Sequence, residues 1–200
     1  MKRILTLILA VTMCAAAGAQ GIAALWSLCP KGKDTMICSH VVAEMIVVSD
    51  CDSPNMAPAV NVSYGTLETR WNRRTVFVST IDGKIGLKLI FDRPGENALH
   101  RGDVVEIDFY GCKASRSASP DAFTISGIDA RENILSHRSG GQIPVKEKFI
   151  SELNDRDVNT YVTLKDVDIV FKDGSYYNVH EDCTVRMDGW ASLMRDMQGR

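Results

Sequence analysis

Alternation of apolar and polar side chains with a period of two recurs through the middle of the chain. In residues 85–92, Ile85, Leu87, Leu89 and Phe91 share one face while Lys88 and Asp92 fall on the other, the pattern of a strand with one face in a core. Residues 75–80 (TVFVST) precede it, and the Asp82-Gly83 pair between them supplies a tight hairpin, because glycine accepts positive φ without steric cost. Residues 104–113 alternate Val105, Ile107 and Phe109 with Glu106, Asp108 and Tyr110, and residues 123–128 predict a further strand. Residues 41–49 (VVAEMIVVS) are apolar on both faces except at Glu44, as a strand inside a small barrel would be. Arg101-Gly102-Asp103 interrupts the pattern as a turn, with Gly102 giving backbone freedom and Asp103 a side-chain hydrogen bond.

Five short strands in about 90 residues, with few helical signals, predict an all-β, mainly antiparallel fold: a small barrel over residues 39–133. A long loop, 50–74, carries Pro54, Pro58 and Gly65 and so cannot continue the sheet. Residues 134–158 read as a linker, with a short helix over 145–153. The alternation restarts at 161–171, with a phase slip around Asp166 of the kind a β-bulge makes, and Asp173-Gly174 marks another hairpin. Residues 159–200 look like the start of a second module. Its tail, 190–200, parallels 76–84, so a third strand is expected beyond Arg200.

The first residues add a compartment. Met1-Lys2-Arg3 is followed by an apolar run over 4–17 and by Ala17-Gly18-Ala19, the layout of a secretory signal peptide over 1–19. Residues 20–38 form the N-terminal segment after cleavage. Two alternatives stay open: lipidation at Cys14, against which Met13 counts, and an uncleaved anchor reaching Leu28, which would have to span Gln20 and two glycines. With cleavage, no transmembrane segment remains, and the protein is expected in the periplasm or at the cell surface.

Loss of Lys2 and Arg3 from 23 basic and 25 acidic residues leaves 21 against 25. A net charge of about −4 argues against an avid nucleic-acid binder, which draws its affinity from many phosphate contacts. Five of the six cysteines follow the cleavage site. Export permits disulfides, and Cys29 with Cys38, flanking a short loop, is the favoured pair; buried free thiols are the alternative.

The segments TVFVSTIDGKIGLKLIFD, ENALHRGDVVEIDFYGC, ISELNDRDVNTYVTLKDVDIVFKDGSYYNV and MDGWASL resemble a domain family of unknown function from secreted and surface proteins of Bacteroidetes, built on an OB-like barrel. The resemblance covers roughly residues 39–200 and lies in the order of segments rather than in one motif. Members usually continue past the position of Arg200. It implies a fold and an exported location, and it carries over no catalytic residues.

Chemistry is sparse. No metalloprotease, nucleophile-elbow, P-loop or dinucleotide fingerprint occurs, so neither a catalytic residue nor a cofactor is expected. Cys38 with His40 and His180 with Cys183 each offer two soft ligands, but some 140 residues apart, and no metal site is expected from them. Glu106 and Asp108 read as a solvated strand face. The favoured ligand surface is the long loop and the strands after it: Tyr64, Arg70, Trp71, Arg73, Arg74 and Lys88. Aromatic faces stack on bases or sugars, and arginines satisfy oxyanions and hydroxyls; the alternative is that Trp71 merely anchors the loop. The expected function is a non-catalytic binding or assembly module for a glycan, a peptide or a neighbouring domain. An accessory nucleic-acid-binding domain of an exported nuclease system is the second reading.

Overall fold

The computed structural model describes residues 21–51, 73–93 and 95–166, together with the backbone of 169–172, 175–180 and 183–186. A helix, α1 (Gly21–Leu28), opens this part of the chain, and ten strands follow up to residue 164: β1 (Asp34–Met36), β2 (Val42–Val47), β3 (Thr75–Thr80), β4 (Gly86–Phe91), β5 (Val104–Asp108), β6 (Lys113–Arg116), β7 (Phe123–Ile128), β8 (Ile134–Arg138), β9 (Lys146–Lys148) and β10 (Val162–Leu164). The fold is all-β.

Eight strands form one mixed sheet in the order β1-β6-β7-β4-β3-β2-β5-β8. Every neighbouring pair is antiparallel except β4 and β7, which run parallel. Its inner face is the alternation read from the sequence: Val76, Val78, Leu87, Leu89, Phe91, Val105, Ile107 and Ile125 are buried in a single cluster. One short helix cannot cover so many strands, so the sheet curls and buries its inner face largely against itself. The β3–β4 hairpin forms at Asp82-Gly83, where Gly83 has φ +71° and the Asp82 carboxylate accepts from the Thr80 hydroxyl and the Lys84 N–H.

The expected barrel is not closed. Closure would require β5 to meet β7, but β8 occupies the outer edge of β5 and β6 the outer edge of β7. The linker expected over 134–158 is corrected as well, since its first residues are β8. Nor does 145–153 form an α-helix: Lys146 and Lys148 alternate with Glu147 on β9, which pairs parallel with β10, and only a 3-10 turn (Ile150–Glu152) follows. Residues 144–165 thus make a strap across the main sheet. The slip expected at Asp166 is a boundary between two strands rather than a bulge within one: β10 ends at Leu164, Asp166 has φ 49°, and the next strand belongs to another sheet. There β11 (Ile169–Lys172), β12 (Ser175–His180) and β13 (Cys183–Arg186) form an antiparallel sheet, with Lys172 opposite Ser175 across the expected hairpin.

Cys29 and Cys38 are free thiols rather than a disulfide. Cys29 is buried with its sulfur on the Lys33 and Ala114 carbonyls, whereas Cys38 is exposed with its sulfur on the Met36 carbonyl. Cys112 is also a buried thiol; burial first, then Asp108 and Asp92, push it up to about 12, which leaves it unreactive near neutral pH. No helix among the described residues is long and apolar enough to cross a membrane.

Candidate functional site

The site begins with α1. Leu25 and Cys29 lie four residues apart and both enter the core, which rolls Trp26 to the helix flank, half-buried. Its indole meets the ring of Phe123 edge-on, centroids 4.8 Å apart at 68°, a favourable aromatic arrangement. Phe123 opens β7 directly opposite Arg116, which closes β6. The Arg116 guanidinium lies 5.4 Å from the Phe123 centroid and 6.0 Å from that of Trp26. It is clamped there: Nε and Nη2 donate to both oxygens of Asp121 at 2.6 and 2.7 Å, and Nη1 donates to the Trp26 and Cys29 carbonyls at the end of α1. A cation at a helix C-terminus is favourable in itself, and the planar fork matches the carboxylate. Arg116, followed by Lys31, holds the Asp121 carboxyl below the usual carboxylate range.

The facing wall comes from the β3–β4 hairpin and the strap. Lys84 and Gly86 contribute from the hairpin, Asp155, Arg156 and Val158 from the strap. Gly86 is required by contact: a Cβ there would fall on the Asn159 backbone and within 2.5 Å of the Val158 carbonyl oxygen. Between the walls lies a cleft of about 550 Å³, within the range of small-molecule sites. Its charges nearly balance, because Lys84 is paired with Asp82 at 2.8 Å and Arg116 with Asp121, leaving Asp155 and Arg156 exposed at the rim.

No family model, curated protein or solved structure matches the chain. The site is therefore read from its geometry.

Tyr64, Arg70 and Trp71 lie outside the described residues. Arg73 is exposed, and its carbonyl accepts the Gly95 and Asn97 N–H groups. Arg74 is half-buried and spans the start of β3 to the end of β4, its Nε donating to the Phe91 carbonyl at 2.9 Å. Lys88 lies on the outward face of β4 between Phe77 and Thr124, half-buried, its ammonium pushed below its ordinary value by burial. Arg73 and Arg74 thus sit at the opposite end of β4 from Gly86, about 17 Å away at strand spacing. The structure does not bring them to the cleft.

Trp26, Arg116, Phe123 and Arg156 were not expected as site residues. A signal for Trp26 was available: Leu25 and Cys29 at helical spacing, with Pro30 as the stop, predict a short amphipathic helix carrying the tryptophan. The Arg116–Asp121 clamp offered none, because any of many arginines could meet any of many carboxylates. Of the remaining histidines, His40 is engaged with Asp108 at 2.6 Å and stacked on Tyr110. Asp103, in the Arg101-Gly102-Asp103 turn, accepts the His100 N–H, with Gly102 at φ +89°, so that tripeptide serves the turn.

Proposed function

We propose that this chain is an exported, non-catalytic binding module of the OB-like family of Bacteroidetes surface and secreted proteins, and that its ligand, a glycan or a short peptide, occupies the cleft between α1 and the strap. The observation that carries this reading is the half-buried indole of Trp26 facing a 550 Å³ cleft with near-balanced charge. An aromatic flank suits the apolar face of a sugar or a peptide side chain. Balanced charge disfavours a polyanion, which needs a surplus of cations. An open mixed sheet with one parallel pair is compatible with a partly open OB-like barrel. Binding without catalysis fits the role of Asp121: its engagement with Arg116 keeps it ionised and unable to donate a proton.

The second reading, an accessory nucleic-acid-binding domain, draws on Lys88, a half-buried cation with no carboxylate partner among the described residues. A glycan, peptide and oligonucleotide screen on the purified chain separates the two. Under the first reading a neutral glycan or peptide binds with little dependence on salt, and both Trp26→Ala and Arg156→Ala weaken it at least about tenfold while the circular dichroism is unchanged. Oligonucleotide binding that falls steeply with salt, is lost in Lys88→Ala and ignores Trp26→Ala would replace it with the second.

A further inference from the structure

The two walls of the cleft offer different chemistry. On the α1 side every guanidinium nitrogen of Arg116 is engaged, with Asp121 and with the Trp26 and Cys29 carbonyls. That guanidinium also stands over the Trp26 indole, and Phe123 meets the indole edge-on. This wall therefore supplies apolar surface with one indole face already covered, which suits a single apolar side chain better than a sugar ring laid flat.

The facing wall supplies donors. Arg156 lines the cleft, and its guanidinium has no carboxylate or hydrogen-bond partner among the described residues; only its backbone N–H is held, by Asn154 Oδ1 at 3.0 Å. Gly86 adds a backbone donor. Thr80 N–H donates to the Ile85 carbonyl and Ile85 N–H to the Thr80 hydroxyl, so Ile85 turns its backbone groups toward β3. Those groups alternate along a strand, so the Gly86 N–H points the other way, toward β7. Pairing of β4 with β7 begins only at Leu87 and Phe123, and the Gly86 N–H meets no acceptor among the described residues. Asp155, next to Arg156, also lines the cleft and has no ion-pair partner among the described residues.

We propose that the cleft captures the C-terminal carboxylate of a peptide whose last residue is apolar, with the carboxylate on Arg156 and the Gly86 N–H and the last side chain against Trp26. The inference rests on the cleft reading above and narrows its ligand to a peptide end. A free guanidinium fork with a backbone N–H is a donor set for one carboxylate. The neighbouring Asp155 carboxylate accepts from an amide N–H, which every peptide carries beside its terminus, and repels a second negative charge. A glycan offers hydroxyls to these groups but no charge for Arg156 unless it carries a uronate.

Titration calorimetry on the full-length chain tests it with N-acetylated tripeptides ending in leucine, phenylalanine or glycine, each as the free acid and as the C-terminal amide. The acids ending in leucine or phenylalanine bind, their amides bind at least about tenfold more weakly, and the glycine acid is weakened as well. Arg156 is exposed, and Arg156→Ala costs the acids at least about tenfold and the amides almost nothing, a difference that a general loss of structure would not produce. Amides that bind as tightly as the acids, while Trp26→Ala weakens both, overturn the peptide-end assignment and leave the cleft as the site. Absence of binding by every free acid overturns it too, and a neutral or uronate-bearing oligosaccharide whose binding then depends on Trp26 would keep the cleft for a glycan. Binding of the acids that is indifferent to both Trp26→Ala and Arg156→Ala removes the cleft reading itself.

Discussion

In the main sheet, Val76, Val78, Leu87, Leu89, Phe91, Val105 and Ile107 are wholly shielded from water and belong to one cluster. In the strap, residues 144–165, the single buried side chain is an aspartate, while Val145, Phe149 and Leu153 face solvent. Asp157 takes Lys148 at 2.7 Å, Lys146 at 3.4 Å and the Asn154 N–H at 3.0 Å. The strap is further held by Arg101, whose guanidinium lies 4.4 Å above the Tyr161 ring. The two regions therefore fail differently. Apolar burial is shared across many neighbours and collapses globally, whereas a buried charge with two lysines is a point attachment whose loss releases one segment.

Phe91→Ala tests the first half of that contrast and has the largest expected effect. Removing a fully buried ring should cost about 3–5 kcal/mol, lower the urea midpoint, and raise hydrogen exchange across β2–β5 and β7 together. Exchange confined to β4 would contradict a single shared core.

Asp157→Asn tests the second half. Loss of the charge leaves Lys146 and Lys148 without their counterion and replaces one acceptor oxygen by an amide donor, a cost of about 2–3 kcal/mol. Exchange should rise over 146–165 and leave the main sheet protected. Acid should produce the same release in the unaltered chain. Burial pushes both Asp103 and Asp157 up. For Asp103 the His100 N–H, Ser139 and His137, and for Asp157 Lys148, the Asn154 N–H and Lys146, more than reverse it, so both carboxyls sit below the ordinary 3.8. A carboxyl lowered in the folded state is protonated first in the unfolded chain. Its stabilisation is therefore complete above about pH 4 and is lost as pH falls through the native value. Urea midpoints between pH 5 and pH 2 should drop less in Asp157→Asn than in the wild type.

These two variants also mark what could be read from the sequence. The period-two runs predict β3 and β7 at their observed bounds and β4 to within a residue at each end, because a strand with one buried face writes its burial into alternate letters. The alternation fails where the backbone breaks phase. In β7, Ile125 and Ile128 are both buried because Gly127, at φ +80°, is an extra residue in the pairing with β4. β8, half-buried only at Ile134, carries no apolar face to detect. The cleft was the least legible part, since it is assembled from four distant segments and closed by a glycine whose role appears only once Asn159 rests on it.

Gly86→Ala addresses that seat directly. The added methyl cannot coexist with the Val158–Asn159 backbone, and overpacking of this kind costs about 1–3 kcal/mol. Because the strap is the weaker partner, it should lift while the sheet keeps its inner face. Exchange should then rise at 155–160, and ligand affinity at the cleft should fall with little change in the urea midpoint of the core. A substitution that instead melts β3 and β4 would mean that the strap is as firmly seated as the sheet.

The smallest effect is expected at Glu44→Gln, where the sheet carries a charge contact of its own. Glu44 lies directly opposite Glu106 on β2 and β5, a like-charge pair that costs stability across strands. Arg138 of β8 reaches Glu44 at 3.1 Å, and both side chains are largely in water. Neutralising Glu44 removes the repulsion and the exposed ion pair at once, and each is worth less than about 1 kcal/mol. The net change in unfolding free energy should stay within about 0.5 kcal/mol and shrink further with added salt. The same type of pair therefore anchors a segment when its carboxylate is buried, as in Asp157, and is nearly silent when the carboxylate is wet, as in Glu44. A loss of more than about 1 kcal/mol in Glu44→Gln would show that charge, and not apolar burial alone, holds β8 to the sheet.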